Sequence, residues 1–200
     1  MTAAQPPAGI LTRLKFETRP EHEAIEAALG LTDRTLTHAA YRRTLERFYG
    51  FYRPLEVELQ ATLGLAGHRL DLTERLKTPF LDADLRALGV ESPELLPVCT
   101  SRPVVTDAAD CFGCLYVLEG STLGGQLISR HVREALGVTP ETGGRYFYGY
   151  GDRTGQMWQR FRAAVTGFVV SPAVQDAAVA AAKDTFQKLH RWTAARGDSP

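Results

Sequence analysis

Residues 107–136 carry an apolar, helix-like pattern, yet the stretch LYVLEGSTLGGQLISRH within it holds Gly120, Gly124 and Gly125. Each glycine inside a helix costs roughly 1 kcal/mol relative to alanine, because the free chain loses more backbone freedom on folding. A chain that keeps three of them there must use the missing side chains. Gly120 and Gly124 are four apart and share a face, so they could admit a neighbouring helix. The same bare face could instead lie directly against a flat ligand, which side chains would hold away. A phosphate cradle fails on chemistry: Gly120 and Gly125 have the separation of G-x-x-x-x-G-K-[ST], but Gln126 and Leu127 stand where the lysine and hydroxyl belong. The later GYGDRTG also departs from a dinucleotide fingerprint, in its spacing and in having no strand before it.

The rest of the chain reads as helices. Ala8 to Leu31 repeats Leu11, Leu14, Ile25 and Leu29 at helical intervals, with Gly30 as a stop. Thr18 stands three residues before Glu21, the capping-box spacing, so a helix restarts at Thr18 with Pro20 in its first turn, or one kinked helix runs through. Thr37 to Leu63 places Tyr41, Leu45, Phe48, Tyr52, Leu55 and Leu59 on one stripe, and Pro54 is expected to bend it. One or two short helices fit Leu70 to Leu88, and VESPELLPVCTSRPV is a proline-punctuated connection. Two more helices follow, the last with Ser171 as N-cap and Pro172 at its first position. A weak strand pattern occurs only in GRYFYGYG. The expected fold is all-α, one domain over residues 1–200 with about 1–8 and 195–200 as loose termini, a size and a hydrophobic fraction of 44% that suit a single core.

Charge excludes some functions. Lysine and arginine total 23, aspartate and glutamate total 23, and no basic tract occurs, so nucleic acid and anionic membrane surfaces are not expected partners. No run approaches the roughly 18 to 20 apolar residues of a membrane span, and the start MTAAQPPAGILTRLKF has no signal-peptide core. With an odd count of three cysteines, a reducing cytoplasm is the expected location. Cys111-x-x-Cys114 has neither the second pair of a zinc site nor the βαβ frame of a redox motif, and reads as two small buried hydrophobes.

Of five histidines, His38, His68, His131 and His190 sit where solvated or core-satisfied roles suffice. His22 differs, because Lys15 lies seven residues before it and Glu26 four after, on one helical face within about 16 Å. A neutral imidazole that binds a metal through one nitrogen needs a partner for the other, which an acid one turn away provides. A plain surface His–Glu pair is the competing reading.

LKFETRPEHEAIE resembles the proximal-helix signature of the heme oxygenases, GSTLGGQ their glycine-rich distal helix, and YFYGY, FRAAVTGFVVSPAV and AKDTF their C-terminal third. The resemblance runs from about residue 11 to 190, and YVLEGSTLGGQ looks most like bacterial members that supply biliverdin to phytochromes. It implies an all-α bundle with heme b between a proximal helix and a kinked distal helix. His22 would be the one axial ligand to iron and Glu26 its partner, with Lys15 and Arg162 on the propionates. Gly120, Ser121 and Gly124 would shape the distal face where dioxygen is aimed, with Gly125 and Tyr116 as further heme contacts. The implied reaction cleaves heme to biliverdin, mainly the α isomer, with carbon monoxide and ferrous iron, using electrons from a ferredoxin or flavoprotein reductase. A bacteriophytochrome would be the acceptor of the product. A heme carrier or sensor, or an enzyme for another flat ligand on a related scaffold, are the alternatives. Two departures stand out: Ser121 occupies a position where many members carry aspartate, and Leu115 one where tyrosine often contacts a propionate.

Overall fold

The computed structural model describes residues 9–65 and 70–195, so His68 and both extreme termini lie outside the described residues. The elements are α1 (Ile10–Glu17), α2 (Arg19–Leu29), α3 (His38–Leu65), α4 (Thr78–Ala87), α5 (Ala108–Leu136), α6 (Arg145–Tyr148), α7 (Thr154–Phe168) and α8 (Pro172–Ala194). Short 3-10 turns occur at Thr73–Arg75, Pro93–Leu95 and Gly151–Arg153, and among the described residues there is no strand.

Local signals place most helix ends. Gly30 and Gly137 close α2 and α5 in the left-handed region, at φ 54° and 69°, where an L side chain is strained. The Asp107 carboxylate accepts from the Ala109 and Asp110 amides at the start of α5, and Ser171 Oγ accepts from the Val174 amide at the start of α8. The expected stripe of α3 is buried along its length, and Pro54 sits inside a helix that continues past it.

Three local expectations are corrected. Thr18 separates α1 from α2, but its hydroxyl makes no capping box; Oγ1 donates back to the Leu14 carbonyl at 2.7 Å. That bond satisfies a carbonyl at the end of α1 while Pro20, with no amide hydrogen to offer, begins α2. The glycines do not interrupt α5, which is one unbroken helix. GRYFYGYG forms α6 and a turn, because the Asp84 carboxylate reaches across from α4 and accepts from the Arg145 and Tyr146 amides, both at 2.7 Å.

The framework is built around α5 and α8, which make the most extensive interhelix contact. Gly113 permits it: a Cβ there would fall inside the Ala178 carbonyl and the Ala181 methyl of α8. α1 and α2 then lie on α8, with α1 also touching α7, while α6 lies on α5 and α4.

Asp84 is 1% exposed, and burial raises its carboxyl from 3.8 to about 6 against the two amides that favour the charged form. The folded state therefore binds this proton more tightly than the unfolded chain. Its contribution to stability is present below pH 4 and is lost as pH rises through about 6. Denaturant unfolding at pH 4, 5 and 6 should show that Asp84→Asn removes a downward slope of at most about 1.4 kcal/mol per pH unit. Identical slopes in the two proteins would refute this.

Candidate functional site

The junction of α1 and α2 meets α5 at one point. Thr18, 2% exposed at the α1–α2 junction, lies against the Tyr116 phenol of α5; burial raises the pKa of that phenol, and the threonine hydroxyl offsets part of the rise. One turn further along α2 is His22, its amide bonded to the Thr18 carbonyl, with a side chain 50% exposed. One and two turns further along α5 are Gly120, half-buried, and Gly124, exposed. Both helices thus carry exposed positions beyond the Thr18–Tyr116 contact, His22 on α2 and Gly124 on α5.

The glycines divide the two uses that the sequence left open. A Cβ at Gly120 or Gly124 would meet nothing within 4 Å, so neither admits a helix. Gly125 is buried, and its Cβ would come 2.7 Å from the Phe147 carbonyl oxygen. It is a packing glycine that lets α6 approach. Beside the bare pair, Leu123 and Leu127 are exposed on α5, and Phe16 is exposed on α1. The α5 surface here is apolar, with backbone exposed where side chains would cover it.

Around this contact the other singled-out residues fall into place unevenly. His22 stands edge-on to Phe186 of α8, centroids 5.5 Å apart, and Nε2 lies 3.4 Å from Glu26 Oε1. Lys15 does not share their helix, because α1 ends before Thr18; it is exposed, with Nζ 5.8 Å from the Phe16 ring. Tyr116 packs on Trp158 of α7, centroids 6.1 Å apart, and exposed Arg162 lies one turn beyond Trp158. Leu115, next to Tyr116, is buried core.

Ser121 is anchored on the inner side of the seam. Its Oγ donates to the Leu118 carbonyl at 2.7 Å and lies 3.1 Å from the Tyr146 phenol, which donates to Tyr52 Oη at 3.0 Å. Both tyrosines are buried, which pushes Tyr52 up to about 12 and Tyr146 well above the usual phenol range, so each stays protonated. Helical periodicity marks Tyr52 only as a core stripe position. It also misses a buried charged cluster on the other side of Gly120, where Glu119 meets Arg75, Lys77 and Tyr150. A lone glutamate in the apolar run CFGCLYVLEG was the available signal; its partners were not legible.

Other candidates have ordinary roles. Cys111 and Cys114 are free buried thiols, pushed up to about 12 by desolvation. His38 Nε2 lies 2.9 Å from the Leu136 carbonyl, and His131 Nε2 3.1 Å from that of Asp33. Among the described residues no group of three or more His, Cys, Asp or Glu converges as a metal site, and no helix is long and apolar enough to cross a membrane.

The heme oxygenase family model matches residues 8–195. The chain belongs to the heme oxygenase family. A heme oxygenase of Xanthomonas campestris pv. campestris (strain 8004) is 31% identical over 121 residues, covering 60% of this chain and 69% of that protein. The NO- and CO-bound heme oxygenase of Neisseria meningitidis superposes with a TM-score of 0.76 at 20% identity, over 96% of this chain and 95% of that one. The heme complex of a heme oxygenase from Synechocystis gives 0.72 at 16% identity, over 93% and 91%. At such identities these structures show the shared all-α heme oxygenase fold.

Gly120→Ala and Gly124→Ala should each raise the stability of the ligand-free protein, by up to about 1 kcal/mol, since the added methyl meets open space inside a helix. Gly125→Ala should lower it by about 1–3 kcal/mol through overpacking on Phe147. Thermal unfolding of the three variants decides, and a loss at Gly120 or Gly124 as large as that at Gly125 would overturn the division.

Proposed function

We propose that this chain is a biliverdin-producing heme oxygenase, a single domain over residues 1–200, with heme held between α2 and the seam of α5. The observation that carries the reading is the open space over Gly120 and Gly124, on a helix that meets the start of the His22 helix at the Thr18–Tyr116 contact. The residues fit the group. A flat apolar macrocycle suits a rim of Phe16, Leu123 and Leu127, an imidazole suits its iron, and exposed cations at Lys15 and Arg162 suit its two propionates.

Heme, substrate and prosthetic group at once, supplies the redox chemistry, in which dioxygen and electrons from an external ferredoxin or flavoprotein reductase open the macrocycle to biliverdin, carbon monoxide and ferrous iron. The protein's residues hold, orient and exclude. His22 binds iron through one nitrogen, while the Glu26 carboxylate fixes the tautomer through the other. Gly120 and Gly124 let the ligand approach the backbone, and Tyr116 closes the end of the cleft where α5 meets Thr18. Ser121 stands where a carboxylate is usual in the family; its Oγ, whose proton goes to the Leu118 carbonyl, offers distal water a neutral acceptor. Lys15 and Arg162 fix the rotation of the ring in its plane; the family resemblance points to mainly the α isomer. The free thiols of Cys99, Cys111 and Cys114 support a reducing cytoplasmic setting, in which a bacteriophytochrome would accept the product.

Hemin titration should give a Soret band, and reductant with dioxygen should then convert it to biliverdin; binding without turnover would make the protein a heme carrier or sensor instead. His22→Ala should abolish turnover, and added imidazole should partly restore the bound spectrum. Full activity in that variant would sink the ligand assignment. Arg162→Glu should shift the isomer ratio more than the affinity, and chromatography of the products refutes the orienting role if both stay unchanged.

A further inference from the structure

The charged cluster beneath the seam has no part in the function proposed above. Glu119 immediately precedes Gly120, and its buried carboxylate accepts from three groups: Arg75 Nη1 at 2.6 Å, Lys77 Nζ at 2.8 Å and the Tyr150 phenol at 2.7 Å. Lys77 Nζ also donates to Tyr150 Oη at 2.5 Å and lies 4.3 Å from the centroid of its ring. Arg75 Nη2 donates to the Met157 carbonyl of α7 at 3.2 Å. Glu56 of α3 accepts from the Lys77 and Thr78 amides, so two cations face two carboxylates and the cluster is balanced. The partners of Glu119 thus come from the Thr73–Arg75 turn, the N-terminal edge of α4 and the segment after α6.

Burying ions is costly, and well-packed apolar replacements of buried pairs are often neutral or stabilising, so stability alone does not account for such a cluster. Its location does. Gly120 and Gly124 have no side chains with which neighbours could fix the backbone, and the space over them is open. The seam must therefore be held from beneath. Arg75 joins the carboxylate beside Gly120 to Met157, the residue before Trp158, and Arg162 is one turn beyond Trp158 on the same helix. One guanidinium thereby ties α5 to α7.

We propose that Glu119, with Arg75 and Lys77, is a positioning residue that fixes the height of the glycine seam and its distance from α7. It thereby sets which edge of the bound ring the bare backbone faces. This consequence rests on the heme oxygenase reading; the clamp itself does not.

Hydrogen exchange in the heme-free protein and isomer analysis of the hemin-loaded protein test it together. Glu119→Gln should speed exchange of amides 118–126 by about tenfold while α8 stays protected, since the loss is of a local restraint. It should change the biliverdin isomer ratio and leave hemin affinity within about threefold. Tyr150→Phe, which removes one hydroxyl, and Lys77→Met/Glu119→Gln, which removes one charge of each sign, should act at the same amides and keep the test decisive if Glu119→Gln fails to fold. Uniform acceleration across α5 and α8 with a wild-type isomer ratio would reduce the cluster to a structural role and overturn the proposal; so would unchanged exchange at 118–126. If the wild-type protein binds no hemin or forms no biliverdin, the heme reading fails, and the exchange experiment still decides whether the clamp exists.

Discussion

Two backbone-to-backbone approaches hold α5 in place: at Gly113 against the Ala178 carbonyl of α8, and at Gly125 against the Phe147 carbonyl of α6. Neither tolerates a Cβ without movement, and between them the helix runs past Gly120 with nothing above it. A helix can present bare backbone to a cleft only when its flanks are held by other means. Here the flanks are held by close packing, and the middle is left free to meet a ligand. The energetic consequence is a protein that gives up helix stability at Gly120 and Gly124 when empty, a loss that ligand packing can offset.

Electrostatics reinforces the same division. On one side of Gly120 the Tyr146 and Tyr52 phenols are deeply buried and stay protonated, with the half-buried Ser121 hydroxyl against them; on the other, Glu119 is saturated by two cations and a phenol. Both arrangements satisfy polar groups internally, as desolvation requires, so the cleft face itself is left apolar. The half-exposed His22–Glu26 pair stands opposite in character, solvated and adjustable.

Family membership and this geometry meet at the glycines. The comparisons establish the heme oxygenase family and its helical fold, and the open space over Gly120 and Gly124 supplies a physical use for a motif that would otherwise be costly. Ser121 after the first glycine is a neutral hydroxyl, and the carboxylate next to that glycine is Glu119, fully paired.

Much of the architecture was determined by local sequence, because helical periodicity and stop signals act over three or four residues. The α3 stripe, the glycine ends of α2 and α5, the Ser171 cap and the His22–Glu26 spacing are all of this kind. Motif order along the chain carried the family resemblance for the same reason. What tertiary structure alone decided depends on partners far away in the chain. Gly125 serves packing while Gly124 faces space, although they are neighbours, because Phe147 lies under one and not the other. Residues 145–148 are a helical turn and not a strand, because Asp84, 61 residues before Arg145, caps them. Glu119 is a clamp because Arg75 and Lys77 arrive from 44 and 42 residues upstream. A glutamate in an apolar helix announces that it must be paired, since an unpaired buried charge is too costly to keep, but only the fold decides which cations meet it.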